Sequence, residues 1–210
     1  MNLQPYISLL NLKRFAYVLL ACIVFLGNLR AMPRFISLEN GLSNTSIHTF
    51  FQDSQNYMWI LTDYGLNRLS GEDIKVFTQS FTDKDALPNN YLIDFYEDSH
   101  GNYWIGTING LFKYDRITEK FSSCFTDKYP FISSTKISCI MEDHQENVWI
   151  VLSGRGLLRI NLRDGVVISF DLPAINEMDV TTMMLGRDGS IWLAGKHNGI
   201  ALSLIHISEP

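Results

Sequence analysis

Carboxylates and imidazoles are the groups with which proteins move protons or hold metals. Asp53, Asp98, Asp143 and Asp188 recur along this sequence, with His48, His100, His144 and His197 scattered among them. A glycosidase or lyase would need paired carboxylates at places that do not repeat. Here the aspartates do repeat, which marks them as turn residues. The histidines occupy different phases of that repeat, and His100 and His144 fall in turns and form no cluster. No CxxC or His/Cys cluster suggests a metal, so neither a metal nor a cofactor is expected. Cys124 and Cys139 are expected to be buried free thiols, although an oxidising compartment would allow them to pair.

A second set of residues suits recognition. Asp63, Tyr64, Asn90, Tyr91, Asn109, Arg155, His197 and Asn198 lie in short loops and differ from copy to copy. Sugar hydroxyls need paired donors and acceptors, and pyranose faces stack on aromatic rings. These eight residues are the candidate ligand site. The competing reading is that they are solvated loop residues.

The elements that position them come from an internal repeat. The four tryptophans are Trp59, Trp104, Trp149 and Trp192, at spacings of 45, 45 and 43. An aspartate precedes each, six residues earlier in the first three copies and four in the last. Tight turns follow the aspartates, because Asp bonds its own downstream backbone and Gly or Asn tolerates positive φ. After each tryptophan comes a glycine with an aliphatic partner: Gly65-Leu66, Gly110-Leu111, Gly156-Leu157 and Gly199-Ile200. The first copy reads as four strands, 46–52, 57–62, 66–69 and 74–79, and no segment has a helical period of useful length. Four short strands and one aromatic signature per unit describe a β-propeller blade. The fold class is therefore all-β: an incomplete propeller of about 3.5 four-stranded antiparallel blades, at approximately 38–88, 89–133, 134–178 and 179–201 (partial). Trp, Asp and Gly at one phase in every blade read as architecture, the tryptophan as the apolar wedge between sheets.

The clearest copy is Glu97-Asp98, Gly101-Asn102, Trp104-Ile105-Gly106-Thr107, Gly110-Leu111 and Tyr114-Asp115. It resembles the two-component regulator propeller repeat over about 38–201, and Gly41-Leu42-Ser43-Asn44 resembles the start of such sensors. Val151-Leu152-Ser153 departs from the Gly-Thr of the pattern. The resemblance implies the periplasmic sensor region of a hybrid two-component histidine kinase and response regulator. Its usual signals are polysaccharide breakdown products. The expected function is ligand sensing, with no enzymatic activity in this stretch and no signalling output of its own. The implied partners are an oligosaccharide or other small ligand, the remaining blades and downstream sensor domains, and a second copy in the full-length protein. A protein-binding propeller scaffold and a propeller-fold carbohydrate-active enzyme stay open as alternatives.

The ends and the charge set further bounds. Lys13 and Arg14 precede an apolar run from Phe15 to Gly27, with Ala31 downstream. That run is short of the roughly 20 residues a membrane helix needs, so 1–31 reads as a secretory signal. An uncleaved anchor and a lipoprotein signal at Cys22 are the alternatives. Export would place the chain in the periplasm and the full-length protein in the inner membrane. Residues 202–210 resemble a translated sequencing adapter and are expected to be a non-native tail. The net charge of -5 provides no basic patch for nucleic acid.

Overall fold

The computed structural model describes residues 35–196 and 199–203. The expected signal at 1–31 and most of the expected tail lie outside them. The first sheet runs β1 (Ile47–Gln52), β2 (Met58–Thr62), β3 (Gly65–Ser70) and β4 (Asp73–Phe77). The second contains β5 (Leu92–Glu97), β6 (Tyr103–Thr107), β7 (Gly110–Asp115) and β8 (Lys120–Ser123). The third is β9 (Ile137–Glu142), β10 (Asn147–Leu152), β11 (Gly156–Asn161) and β12 (Val167–Phe170). Three strands of a fourth follow, β13 (Val180–Leu185), β14 (Ile191–Gly195) and β15 (Ile200–Ser203). Each sheet pairs its strands in chain order, all antiparallel. These are propeller blades, as the repeat predicts. In the fourth, Trp192 pairs with Leu202 and Ile191 with Ser203, so the ladder runs two residues into the expected tail.

The repeated aspartate does two jobs. Asp98 Oδ1 accepts the backbone N–H of His100 at 3.0 Å and of Asn102 at 2.8 Å, closing the β5–β6 turn. Its other oxygen accepts the indole N–H of Trp104 at 2.8 Å. Asp53 and Asp143 do the same for Trp59 at 2.7 Å and Trp149 at 2.6 Å. The buried indole, whose N–H would otherwise be orphaned, is thus tied to the turn that precedes it. In the fourth blade Gly186 stands at the aspartate phase, its N–H bonded to Ser190 O as Asp143 N–H is to Asn147 O. Asp188 lies two residues further on and accepts from Ser190 N–H and Oγ–H.

In the first and third blades the glycine after the tryptophan is required by close approach. Gly65 has φ +108° and Gly156 +84°, and a Cβ there would lie 2.4 Å from Phe77 O and 2.0 Å from Phe170 O. Each is thus pressed against the end of its own blade's outermost strand in a left-handed conformation.

The core is three apolar layers, one between each pair of successive blades. Trp59, Leu61, Leu66 and Phe77 meet Phe95, Tyr103, Ile105 and Tyr114. Trp104 and Leu111 meet Ile137, Ile140, Val148 and Ile150. Trp149, Val151 and Leu157 meet Ile175, Val180, Ile191 and Leu193. Burying about 200 Å² of an indole contributes roughly 5 kcal/mol at about 25 cal/mol per Å². Trp192 departs from the expected wedge: it is 37% exposed, because among the described residues no blade follows to cover it. A cation faces each of the first three tryptophans across the sheet, in the pairs Trp59–Arg68, Trp104–Lys113 and Trp149–Arg159. Lys113 Nζ sits 4.1 Å from the Trp104 ring centroid. Cys124 and Cys139 are free and buried; burial pushes both thiols up to about 12.

Candidate functional site

The loops that carry the expected site lie at one rim of the blades. The β2–β3 type of turn and the crossing to the next blade meet there by backbone hydrogen bonds. Asp63 N–H donates to Ser46 O, Gly65 N–H to Asn90 O, and Ser153 N–H to Lys136 O. Threonine hydroxyls reinforce the turns, Thr62 with Tyr64 N–H and Thr107 with Asn109 N–H.

A bulge shapes this rim. The register slips between Ile47 and Thr49, between Leu92 and Asp94, opposite Val151/Leu152 in β9, and between Val180 and Thr182. The extra residues are His48, Ile93, Ser138 and Thr181, one per innermost strand. A bulge re-aims its side chain out of the alternation of the strand. His48 is turned onto the next turn of its own blade, where its Nε2 lies 2.6 Å from Asp63 Oδ1. Its ring centroid is 6.1 Å from that of Tyr91, on the crossing into the second blade. Hydrogen bonds from Ser46 and then His48, with Tyr91 contributing, hold the Asp63 carboxyl below its usual range. Tyr64 is 58% exposed and Tyr91 46%. One ionised carboxylate, one imidazole and the phenol ring of Tyr91 therefore stand together, open to solvent.

Asp63 and Tyr91 are thus brought together, and Tyr64, exposed, adjoins Asp63 in the chain. Asn90 is engaged elsewhere, since its Oδ1 accepts the backbone N–H of Gln79 at 2.6 Å and fixes the crossing. Asn109 is exposed on the equivalent turn of the second blade, its N–H bonded to Thr107 Oγ1. Arg155, on the third, lies with its guanidinium 5.1 Å from the Phe131 ring centroid. His197 and Asn198 lie outside the described residues. Ser46 and His48 are additions to the expected set. The signal for His48 was present in the repeat: the same phase holds Ile93, Ser138 and Thr181, so the imidazole is not architecture.

The opposite rim has a groove of about 610 Å³ lined in part by Ser54, Tyr96, Glu97, His100, Arg116 and Glu142. Its carboxylates are committed to joining blades. Glu97 accepts from the N–H and Oγ–H of Ser54, and Glu142 from the same groups of Ser99. Glu146 joins His100 and Arg163, and chiefly Arg163 draws its carboxyl down to about 2. The buried Asp53, Asp98 and Asp143 are occupied by turns and indoles. These acids do structural work.

Residues 41–64 and 86–109 match the family model of the two component regulator propeller. No curated protein matches the chain. Among solved structures, the extracellular domain of BT3049, a protein assigned to a hybrid two component system of B. thetaiotaomicron, aligns at 19% identity and a TM-score of 0.53. That alignment covers 80% of this chain and 30% of the other. PorZ, a surface component of the type-IX secretion system of Porphyromonas gingivalis, aligns at 13% identity and TM-score 0.52 over 79% of this chain and 26% of its own. YCF48, solved bound to a D1 peptide, aligns at 10% identity and TM-score 0.52 over 74% and 49%. These likenesses show the propeller fold. The chain spans less than a third of the first two structures.

Proposed function

We propose that this two component regulator propeller protein is the ligand-sensing region, outside the cytoplasm, of a hybrid two-component signalling regulator. Its ligand is an oligosaccharide released by polysaccharide breakdown. The reading is carried by the grouping of Tyr91 with the His48–Asp63 pair on an exposed rim. A sugar ring stacks on a phenol face while its hydroxyls donate to Asp63 and exchange hydrogen bonds with His48. This constellation suits binding: the described grouping holds one carboxylate, whereas a glycosidase uses a pair. Export through residues 1–31 would deliver the chain to the periplasm, in a full-length protein of the inner membrane. There the remaining blades and downstream domains would carry the signal.

Calorimetry with a panel of oligosaccharides tests the proposal. One class should bind, and Tyr91→Ala and Asp63→Ala should each weaken it at least about tenfold, the loss of roughly 1.4 kcal/mol. The proposal fails if no glycan binds and deletion of the gene leaves growth on polysaccharides unchanged.

A further inference from the structure

The cleft between the first two blades is built differently from the one that follows it. In the second and third blades an asparagine, Asn102 or Asn147, gives its side-chain amide to the turn aspartate. The first blade has Tyr57 at that place. The bond an amide would make to Asp53 is made instead by the Tyr103 hydroxyl, which reaches across from the second blade at 2.9 Å. In the third blade Val148 stands at Tyr103's place. Counted from the cation opposite the tryptophan, Leu162 stands at that of Arg116. Val148 and Leu162 both pack into the apolar layer. The first pair of blades has instead a cleft of about 300 Å³, lined in part by Gln55, Tyr57, Arg68, Tyr103, Arg116 and Glu119. Residues that differ from copy to copy are not explained by the architecture of the repeat.

Every carboxylate around this cleft is committed, and one guanidinium is not. Arg68 stacks on Tyr57, 4.8 Å from its ring centroid, and donates to Tyr114 at 3.1 Å and to Glu119 at 2.8 Å. Glu119 also pairs with Lys75. Those two cations, Lys75 first, hold its carboxyl below the usual range. Asp53 is spent on its own turn, on Trp59 and on Tyr103. Glu97, beyond Tyr103, is held by Ser54. Asp115 accepts the N–H groups of Ile117 and Thr118 at 2.8 and 3.0 Å, which fixes the β7–β8 turn. Arg116 projects from that turn. It makes no hydrogen bond or ion pair with any described residue, yet its charge reaches the Tyr103 hydroxyl.

We propose that this cleft binds a small sugar acid, its carboxylate paired with Arg116. A guanidinium grips a carboxylate through two parallel hydrogen bonds. The volume is at the small end of ligand sites and suits one sugar ring. Ile117, which lines the cleft and is 87% exposed, offers an apolar wall to the C–H face of that ring. The Gln55 amide and the N–H groups that Arg68 has left are the partners for hydroxyls. One uncommitted cation selects a monoanion over a dianion such as phosphate, because a second charge would find no partner and would be repelled by Glu119. The site lies on the rim opposite Asp63 and Tyr91 and does not depend on them.

Calorimetry on the full chain with galacturonate and glucuronate tests this. One of the two should bind at least about tenfold tighter than its neutral counterpart, galactose or glucose, and than acetate or phosphate. Arg116→Gln alters an exposed side chain without a partner, so it should keep the far-UV spectrum. It should weaken the sugar acid at least about tenfold, through loss of the charge-assisted pair. Lys84→Gln, the same change of charge on an exposed loop, should leave binding unchanged, as should Asp63→Ala. Three results would overturn the proposal: neither acid binding tighter than its neutral sugar, acetate or phosphate binding as tightly, or an affinity indifferent to Arg116→Gln. Binding lost in Asp63→Ala would move the sugar acid to the other rim and overturn it as well.

Discussion

Asp98→Ala removes the acceptor at the centre of the second blade's turn. Four donors lose their partner: the backbone N–H groups of His100 and Asn102, the Asn102 side-chain amide, which can turn to solvent, and the indole N–H of Trp104. The turn is at the surface, where water can replace the carboxylate for the two backbone groups at about 0.5–1 kcal/mol each. Trp104 is fully buried, so its N–H is left unsatisfied at a cost of about 1–3 kcal/mol. The sum is about 2–5 kcal/mol, a large fraction of a domain's stability. Asp188→Ala is the control. Its turn is exposed and Trp192 is partly in water, so it should cost under about 1 kcal/mol. Urea denaturation followed by far-UV circular dichroism measures both, and the Trp104 indole proton resonance should move or broaden only in Asp98→Ala. If Asp98→Ala costs no more than Asp188→Ala, the aspartate is a turn residue only and the coupling to the tryptophan is wrong.

Asp94, on the innermost strand of the second blade, accepts the N–H of Ile140 from the third. Desolvation raises its carboxyl to about 6, against backbone hydrogen bonds that lower it. The folded state therefore binds its proton more tightly than the unfolded state, and this group's contribution to stability is lost as pH rises from about 4 to about 6. Asp94→Asn should flatten that window in pH-dependent urea midpoints; an unchanged profile would refute the assignment. Gly156→Ala should destabilise by more than about 3 kcal/mol, because its Cβ meets the Phe170 carbonyl, whereas Gly154→Ala, with open space around it, should cost about 1 kcal/mol. Cys124 and Cys139 should resist alkylation in the native protein at pH 8 and react on unfolding, since both thiols are buried and pushed up to about 12. Labelling at the rate of a free thiol would contradict their burial.

Much of this fold is legible along the chain because the constraint repeats. A blade needs its wedge and turn at fixed intervals, so Trp59, Trp104 and Trp149 with their aspartates and glycines reveal the strands and their order together. The departures carry the rest. Val151-Leu152-Ser153 breaks the pattern, yet Leu152 fills the place of Thr107 and is fully buried, so the blade survives. The candidate site was readable only in part. Asp63, Tyr64 and Tyr91 stand out as varying rim residues, but Asn90, identical in type to a sugar ligand, is spent on the Gln79 backbone. Which asparagine is free depends on where a neighbouring chain segment passes.

The sequence by itself determined the periodic features, because packing and turn geometry act on residues close in the chain and leave their mark at every turn of the repeat. Tertiary structure alone decided what depends on neighbours far apart in sequence. It used Glu97 and Glu142 to join blades. It turned His48 through a bulge onto Asp63 and beside Tyr91, which is 43 residues away in the chain. It also distinguished four tryptophans of one phase, burying three under the following blade and leaving Trp192 in solvent, because burial is set by the neighbouring sheet and not by the residue.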